Sequence, residues 1–295
     1  MEYNNWEVLL TLYEEKNITK TAEKLYISQP AITYRIQQIE KDFNTKIITR
    51  GKKGVVFTTQ GEYLVNYAKE MMTQLRKTKD HIQNMKKTVQ GILRLGVSSN
   101  FALYRLPALL KRFLDLYPDV EINVKTGWSS EVLHYLQKEE VQVAILRGDH
   151  SWTDEQQLLF EEGLYIVSKE RIDLRELPDK GRINYKTDYH LKNTIDNWWY
   201  KQFSKPPLVT MDVDRIETCK ELVKKGLGYA IFPSISLNHD ENLHTIKLKN
   251  GNKMILRPTW LLYRKSSLEL SVINAFVNFI HEEHLNKSTL YIKNS

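Results

Sequence analysis

Thr19-Lys20-Thr21-Ala22-Glu23-Lys24-Leu25-Tyr26-Ile27-Ser28-Gln29-Pro30-Ala31-Ile32-Thr33 is the stretch on which the reading of this chain turns. Upstream of it, Trp6, Leu9, Leu10 and Tyr13 recur at three- to four-residue spacing and predict a helix with one buried face. Asn17-Ile18-Thr19 caps a short second helix, Lys20 to Leu25, in which Ala22 is small enough to let a neighbouring helix approach. Tyr26-Ile27 makes a tight turn. Ser28 then caps a third helix with Pro30 in its first turn, where the missing N–H costs nothing. That helix runs to about Phe43, with Ala31, Ile32, Ile36, Ile39 and Phe43 inward. Gln29, Thr33, Tyr34, Arg35, Gln37 and Gln38 are left for the outer face. A dry rear and a Gln/Thr/Arg front after a short helix and a tight turn define the recognition helix of a helix-turn-helix. Gln and Arg form bidentate hydrogen bonds to base edges, and Thr touches a thymine methyl. Gln29, Thr33 and Arg35 are expected to project bare into a groove, with Thr19, Ser28, Pro30, Tyr34 and Gln38 on the same DNA-facing side. The alternative is an amphipathic surface helix in a small bundle.

Downstream, Ile47 to Thr58 reads as strand, basic glycine turn, strand, which is a wing. Arg50, Lys52 and Lys53 in that wing are placed for phosphates, contacts that fix register and make binding salt-dependent without reading sequence. The whole chain of 295 residues carries a formal charge of +7, which permits a polyanionic partner. At 41% hydrophobic and 27% charged it can bury real cores, and its length predicts about two domains of ~150 residues. The single cysteine, Cys219, excludes an internal disulfide framework and any multi-cysteine metal site, which points to a reducing compartment. No signal peptide is read at Met1 to Trp6, and the apolar runs fall short of the ~20 residues a membrane span needs. A cytoplasmic protein without a membrane partner is expected.

The quoted stretch, followed by Ile39-Glu40 and by a Thr49-Arg50 wing ending in Thr58-Thr59-Gln60-Gly61, resembles the DNA-binding domain of LysR-type transcriptional regulators over about sixty contiguous residues. Ile48 stands where that family usually has Phe, and Tyr34 is bulkier than its usual polar residue; both bear on base preference.

From Gly61 to about Lys87 there is neither Pro nor internal Gly. Leu64, Ala68, Met71, Leu75, Ile82 and Met85 form an apolar stripe interrupted at Thr78. A helix about 40 Å long with one greasy stripe needs a partner, either another copy or the chain's own body. The resemblance implies that it pairs with its twin in a homodimer or homotetramer, so that two recognition helices read an inverted-repeat operator in double-stranded DNA, with RNA polymerase as a further partner.

After Gly91, strands at Ile92–Val97, Val120–Thr126 and Val141–Leu146 alternate with helices at Leu103–Tyr117 and Ser129–Gln137, a pattern that predicts a parallel sheet with crossover helices. A second unit follows: strands at Leu164–Val167, Arg182–Tyr185, Pro207–Met211 and Tyr229–Phe232, a helix at Leu191–Phe203, and another capped by Asp214. Pro258–Leu262 and a helix at Leu268–Glu283 return to the first unit. The expected organisation is a winged helix-turn-helix domain (1–60), a linker helix (61–89), and an α/β domain of two lobes, 90–163 with 260–295 and 164–259. This agrees with the two-lobed effector domain, resembling periplasmic binding proteins, that the family resemblance implies. Gly226-Leu227-Gly228-Tyr229-Ala230-Ile231-Phe232-Pro233 resembles a recurrent motif of that domain. With Thr218-Cys219-Lys220-Glu221-Leu222 it also resembles the citrate-responsive catabolite control protein E branch.

Ligands of open α/β sheets bind beyond the carboxyl ends of strands. Ser98 and Ser99 follow the first strand, Thr126 and Trp128 end the second, and Arg147 ends the third directly after an apolar run, where its charge is awkward unless an anion pairs it. Arg257 precedes the return strand. These six are the candidate contacts for a small anionic metabolite, a carboxylate such as citrate. The alternatives are capping for the serines, an internal ion pair for Arg147 and a solvated charge for Arg257. No cofactor, metal site or catalytic constellation is read: His281-Glu282-Glu283-His284 is one residue short of a zincin pair, and Gly226-x-Gly228 lacks a third glycine. An enzyme with a fused helix-turn-helix, or a DNA-binding scaffold without an effector, are the competing functions.

Overall fold

The computed structural model describes residues 3–51, 54–84, 88–237 and 242–292. They fall into two units, Met1–Ile82 and Gln83–Ser295.

In the first unit, α1 (Tyr3–Glu15), α2 (Ile18–Leu25) and α3 (Gln29–Asp42) precede the antiparallel wing β1 (Ile48–Gly51) and β2 (Gly54–Phe57), and α4 (Thr59–Asn84) closes it. The capping residues act as their chemistry predicts. Asn17 Oδ1 accepts the Lys20 N–H at 3.1 Å, and Ser28 Oγ accepts that of Ala31 at 3.4 Å. Tyr26 takes a left-handed conformation (φ 53°) that stops α2 and turns the chain into α3. Val8, Leu9, Leu12, Ala22, Ile32, Ile36, Ile39, Val55, Leu64 and Ala68 form one core. Two expected core positions differ: Ala31 is half-buried, and Phe43 sits past the helix end, 42% exposed, with its ring against Trp6.

Polar bonds fix the wing to the helices. Glu40 Oε1 accepts the Ile47 N–H at 3.0 Å while its other oxygen holds Lys46 at 2.7 Å. Thr58 Oγ1 donates to the Lys46 carbonyl at 2.7 Å and accepts the Gly61 N–H at 3.0 Å. Gly54 (φ 119°) lies so close to Lys16 O that a Cβ would come within 2.5 Å.

The second unit runs β3 (Gly91–Ser98), α5 (Ser99–Tyr104), α6 (Leu106–Leu116), β4 (Val120–Gly127), α7 (Ser129–Gln137), β5 (Val143–Arg147), β6 (Glu155–Ser168), β7 (Arg182–Tyr185), α8 (Tyr189–Gln202), β8 (Val209–Val213), α9 (Ile216–Lys224), β9 (Ala230–Pro233), β10 (His244–Lys247), β11 (Lys249–Asn250), β12 (Lys253–Met254), β13 (Leu256–Tyr263) and α10 (Ser271–Ile292). β3 pairs in parallel with β4 and β5, as the alternating pattern requires. β13 pairs antiparallel with β5 and with the first part of β6. Between Gly163 and Leu164, β6 changes partners, from β13 to β9 and β10. β7 and β8 form a parallel pair, joined to β9 through the Arg182–Tyr229 bridge. The second unit is thus two α/β lobes strung on two crossing strands, with separate cores around Phe113 and Phe276 and around Trp198, Trp199 and Tyr229.

Four expectations are corrected. The helix expected at Leu103–Tyr117 is two, broken at Arg105, because Pro107 has no N–H to offer the preceding turn. The strand expected at Leu164–Val167 is the end of a 14-residue strand whose first half is rich in Glu and Gln. The strand expected from Pro207 begins at Val209. Asp214 does not cap α9; Arg215 occupies that position without a side-chain bond.

Gly61 decides whether α4 can meet the wing. A Cβ there would sit 2.1 Å from the Ile47 carbonyl oxygen, a backbone atom that cannot swing aside. Helix propensity alone favours Gly61→Ala by ~1 kcal/mol, whereas overpacking of this kind costs about 1–3 kcal/mol. The expected outcome is a lower melting temperature, measured by circular dichroism; a raised one would contradict the close approach.

Candidate functional site

On the first unit, α3 carries the predicted face. Gln29, Pro30, Ser28 and Thr19 are exposed, and Gln29 Nε2 donates to Thr19 Oγ1 at 3.1 Å, which pre-orients the amide. Tyr34 is 61% exposed. Thr33, Arg35 and Gln38 are half-buried, and Thr33 and Arg35 each make a contact within the chain. The expectation that Gln29, Thr33 and Arg35 all stand bare is therefore corrected: among those three only Gln29 does. Arg50 pairs with Val55 in the wing ladder; Lys52 and Lys53 lie outside the described residues, as does Met85 of the linker stripe. Tyr26, 95% exposed beside the start of α3, was not anticipated, because nothing local marks a turn tyrosine as outward.

On α4 the stripe divides. Leu64 and Ala68 are in the core and Met71 is half-buried, but Leu75 is exposed and Ile82 is 59% exposed. Among the described residues no helix is long and apolar enough to cross a membrane.

In the second unit, all six residues predicted to contact an effector line one cleft of about 360 Å³ between the lobes. The ends of β3, β4 and β5 are tied together there: Ser99 Oγ donates to the Gly127 carbonyl at 3.2 Å, and Arg147 N–H donates to Ser129 Oγ at 3.1 Å. The Trp128 N–H donates to Glu131 Oε2 at 2.7 Å, and Lys186 sits 6.0 Å from the Trp128 ring centre. Ser98 does not cap α5. Its Oγ is buried with no hydrogen-bond partner among the described residues.

The two arginines differ from expectation. Arg147, 2% exposed, does not wait for an outside anion, since its guanidinium meets the Glu162 carboxylate. Glu162 also accepts the Ile235 N–H at 2.6 Å. Burial, and then the neighbouring Arg257 guanidinium, push the Arg147 pKa well below its ordinary value. Arg257 is not a solvated charge; it is buried and paired with Asp188, which also caps α8 by accepting the Leu191 N–H at 2.9 Å. Nε of both arginines remains without a partner. Glu162 and Asp188 were missed: Asp188 has a readable capping pattern, but neither pairing is local in sequence. Cys219 is a core residue, fully buried, its thiol pushed up to about 12 by burial.

A winged helix-turn-helix unit followed by two α/β lobes around a cleft defines a DNA-binding protein with a ligand domain. The profile described as "Bacterial regulatory helix-turn-helix protein, lysR family" matches residues 3–62, and that of the "LysR substrate binding domain" matches residues 86–285. The chain belongs to the LysR family and is a DNA-binding transcriptional regulator with a substrate-binding domain. It is 47% identical to the uncharacterized HTH-type transcriptional regulator YraN of Bacillus subtilis strain 168 over 97% of this chain and 99% of that one. It is 34% identical to YkuM of the same organism over 96% and 97%. Among solved structures, full-length CbnR complexed with its target DNA superposes with a TM-score of 0.69 at 17% identity, covering 96% of this chain and 99% of that chain. The matched relatives are transcriptional regulators rather than enzymes.

Removing one partner of a buried ion pair costs about 3–5 kcal/mol, whereas apolar replacement of both is often neutral or stabilising. Glu162→Leu is expected to destabilise the protein by about that amount in urea denaturation, and Glu162→Leu with Arg147→Met to recover part of it, the rest being the Ile235 N–H left without its acceptor. Equal losses in the single and double variants would show that the pairing is not what matters.

Proposed function

We propose that this regulator acts in the cytoplasm as a homodimer or homotetramer, joined through the exposed stripe of α4, and binds an inverted-repeat operator. Gln29, Thr33, Tyr34, Arg35 and Gln38 read bases in the major groove, while Thr19, Ser28, Arg50, Lys52 and Lys53 hold the backbone and Pro30 packs against it. The exposed Leu75 and Ile82 support the pairing, and the DNA-bound relative in fold supports the docking mode. We place the lobes at 90–163 with 260–295 and at 164–259. RNA polymerase is the downstream partner.

The effector is a small carboxylate, with citrate as the first candidate, held in the cleft by Ser98, Ser99, Thr126, Trp128 and Arg257, with Arg147 behind them. The observation that carries this reading is the buried Ser98 hydroxyl, left without a partner in a cleft where two arginine Nε donors are also unanswered. The ligand's differential affinity for one arrangement of the lobes shifts the equilibrium toward it and alters how the DNA is held.

Titration calorimetry of the full chain with citrate, succinate and glutarate tests the cleft. Binding of at least one, weakened about tenfold by Ser98→Ala through loss of one hydrogen bond to a charged group, is expected. No binding, or affinity unmoved by Ser98→Ala and Arg257→Met, overturns it. For DNA, Gln29→Ala is expected to cost about 1–3 kcal/mol and relax base preference at one position. Lys52→Ala is expected to weaken all sequences alike and lower the salt slope by about one; fluorescence anisotropy against salt measures both.

A further inference from the structure

On the α8 side of the β7–β8 pair lies a cavity of about 530 Å³ for which the inter-lobe cleft does not account. β7 contributes Arg182 and Asn184, α8 contributes Lys192, Ile195 and Asp196, and β8 contributes Asp212. Alternation along β7 puts Arg182 and Asn184 on one face, and Asn184 is directly opposed in register to Asp212.

Arg182 is only 8% exposed, yet among the described residues no hydrogen bond or ion pair reaches its guanidinium. Its neighbour is the Trp199 ring, 5.9 Å from Cζ. Burial pulls its pKa below the ordinary arginine value, opposed by charges that include Asp196. Asn184 Oδ1 is also buried without a donor. Buried guanidinium groups and amide oxygens are paired as a rule, because an unanswered one costs the full desolvation of the group. The cavity therefore presents unanswered donors and unanswered acceptors together. A plain anion would satisfy Arg182, with Lys186 and Lys192 also in the wall, but face Asp196, Asp212, Asp214 and Asn184 Oδ1. A plain cation would do the reverse. One small molecule with both charges satisfies each side, and the volume lies within the range of small-molecule pockets.

We propose that this cavity is a second ligand site that takes a free α-amino acid, its carboxylate on Arg182 and its ammonium between Asn184 Oδ1 and the Asp212 carboxylate. Ile195 and Ile231 give the amino-acid side chain an apolar wall. The site stands apart from the carboxylate reading of the cleft, although the two share the wall Tyr185-Lys186-Thr187.

Thermal melting and titration calorimetry of the full chain with each of the twenty L-amino acids test it. Each amino acid is compared with its deaminated acid and its decarboxylated amine at equal concentration. At least one amino acid is expected to bind and raise the melting temperature where neither half-molecule does. Arg182→Gln and Asp212→Asn are each expected to weaken it about tenfold, the loss of one charge-assisted hydrogen bond. Asp212 is exposed, so its variant keeps the fold should Arg182→Gln not. Ser98→Ala, in the cleft, is expected to leave the affinity unchanged. Absence of binding by all twenty overturns the proposal. So does binding indifferent to Arg182→Gln and Asp212→Asn, or binding abolished by Ser98→Ala.

Discussion

The effector unit depends on the antiparallel pairing of β6 with β13. These two strands run from one lobe to the other, and their register sets Glu162 opposite Arg257 at the point where the lobes part. From there Glu162 reaches Arg147 at the end of β5, and Arg257 reaches Asp188 at the start of α8. Two buried cations, the buried Glu162 and the half-buried Asp188 thus meet at the hinge, each drawn from a different segment. Buried charges of this kind add little to stability over an apolar core, but they strongly penalise any arrangement that separates them. Relative movement of the lobes must be one that keeps or exchanges these partners.

That constraint gives the cleft its chemistry. Arg147 and Arg257 are neutralised by the chain itself, so the cleft is less a bare positive hole than a set of donors held in place by internal carboxylates. The unanswered Ser98 hydroxyl and the two Nε groups are what remains for a ligand. The contrast with the winged-helix unit is physical. There Gln29 on α3 and Thr19 on α2 are exposed and answer one another. In the cleft Ser98, Arg147 and Arg257 are buried, and the Ser98 hydroxyl and the two arginine Nε groups depend on whatever enters.

The winged helix was legible because its determinants are local. Asn17, Ser28 and Pro30 act on backbone within three residues, and the 3.6-residue period of Ile32, Ile36 and Ile39 is a property of one helix. The parallel order of β3, β4 and β5 was legible for the same reason, since strand and helix alternate at lengths that leave few topologies. The first half of β6 was not: Glu155, Gln156, Gln157, Glu161 and Glu162 look like loop or surface, and form a strand only because β13 arrives about a hundred residues later to pair with them.

The sequence by itself determined the class of the protein, the caps of α2 and α3, the apolar rear of α3 at Ile32, Ile36 and Ile39, and the six residues that converge on the cleft, because each follows from spacing and from strand ends. Only the tertiary structure decided how those residues are partnered. Glu162 answers Arg147, Asp188 answers Arg257, and Ser98 is left unanswered. The reason is that a charge's partner is set by proximity in space across a low-dielectric interior, where desolvation and pairing are large, and neither quantity leaves a trace in the order of residues along the chain.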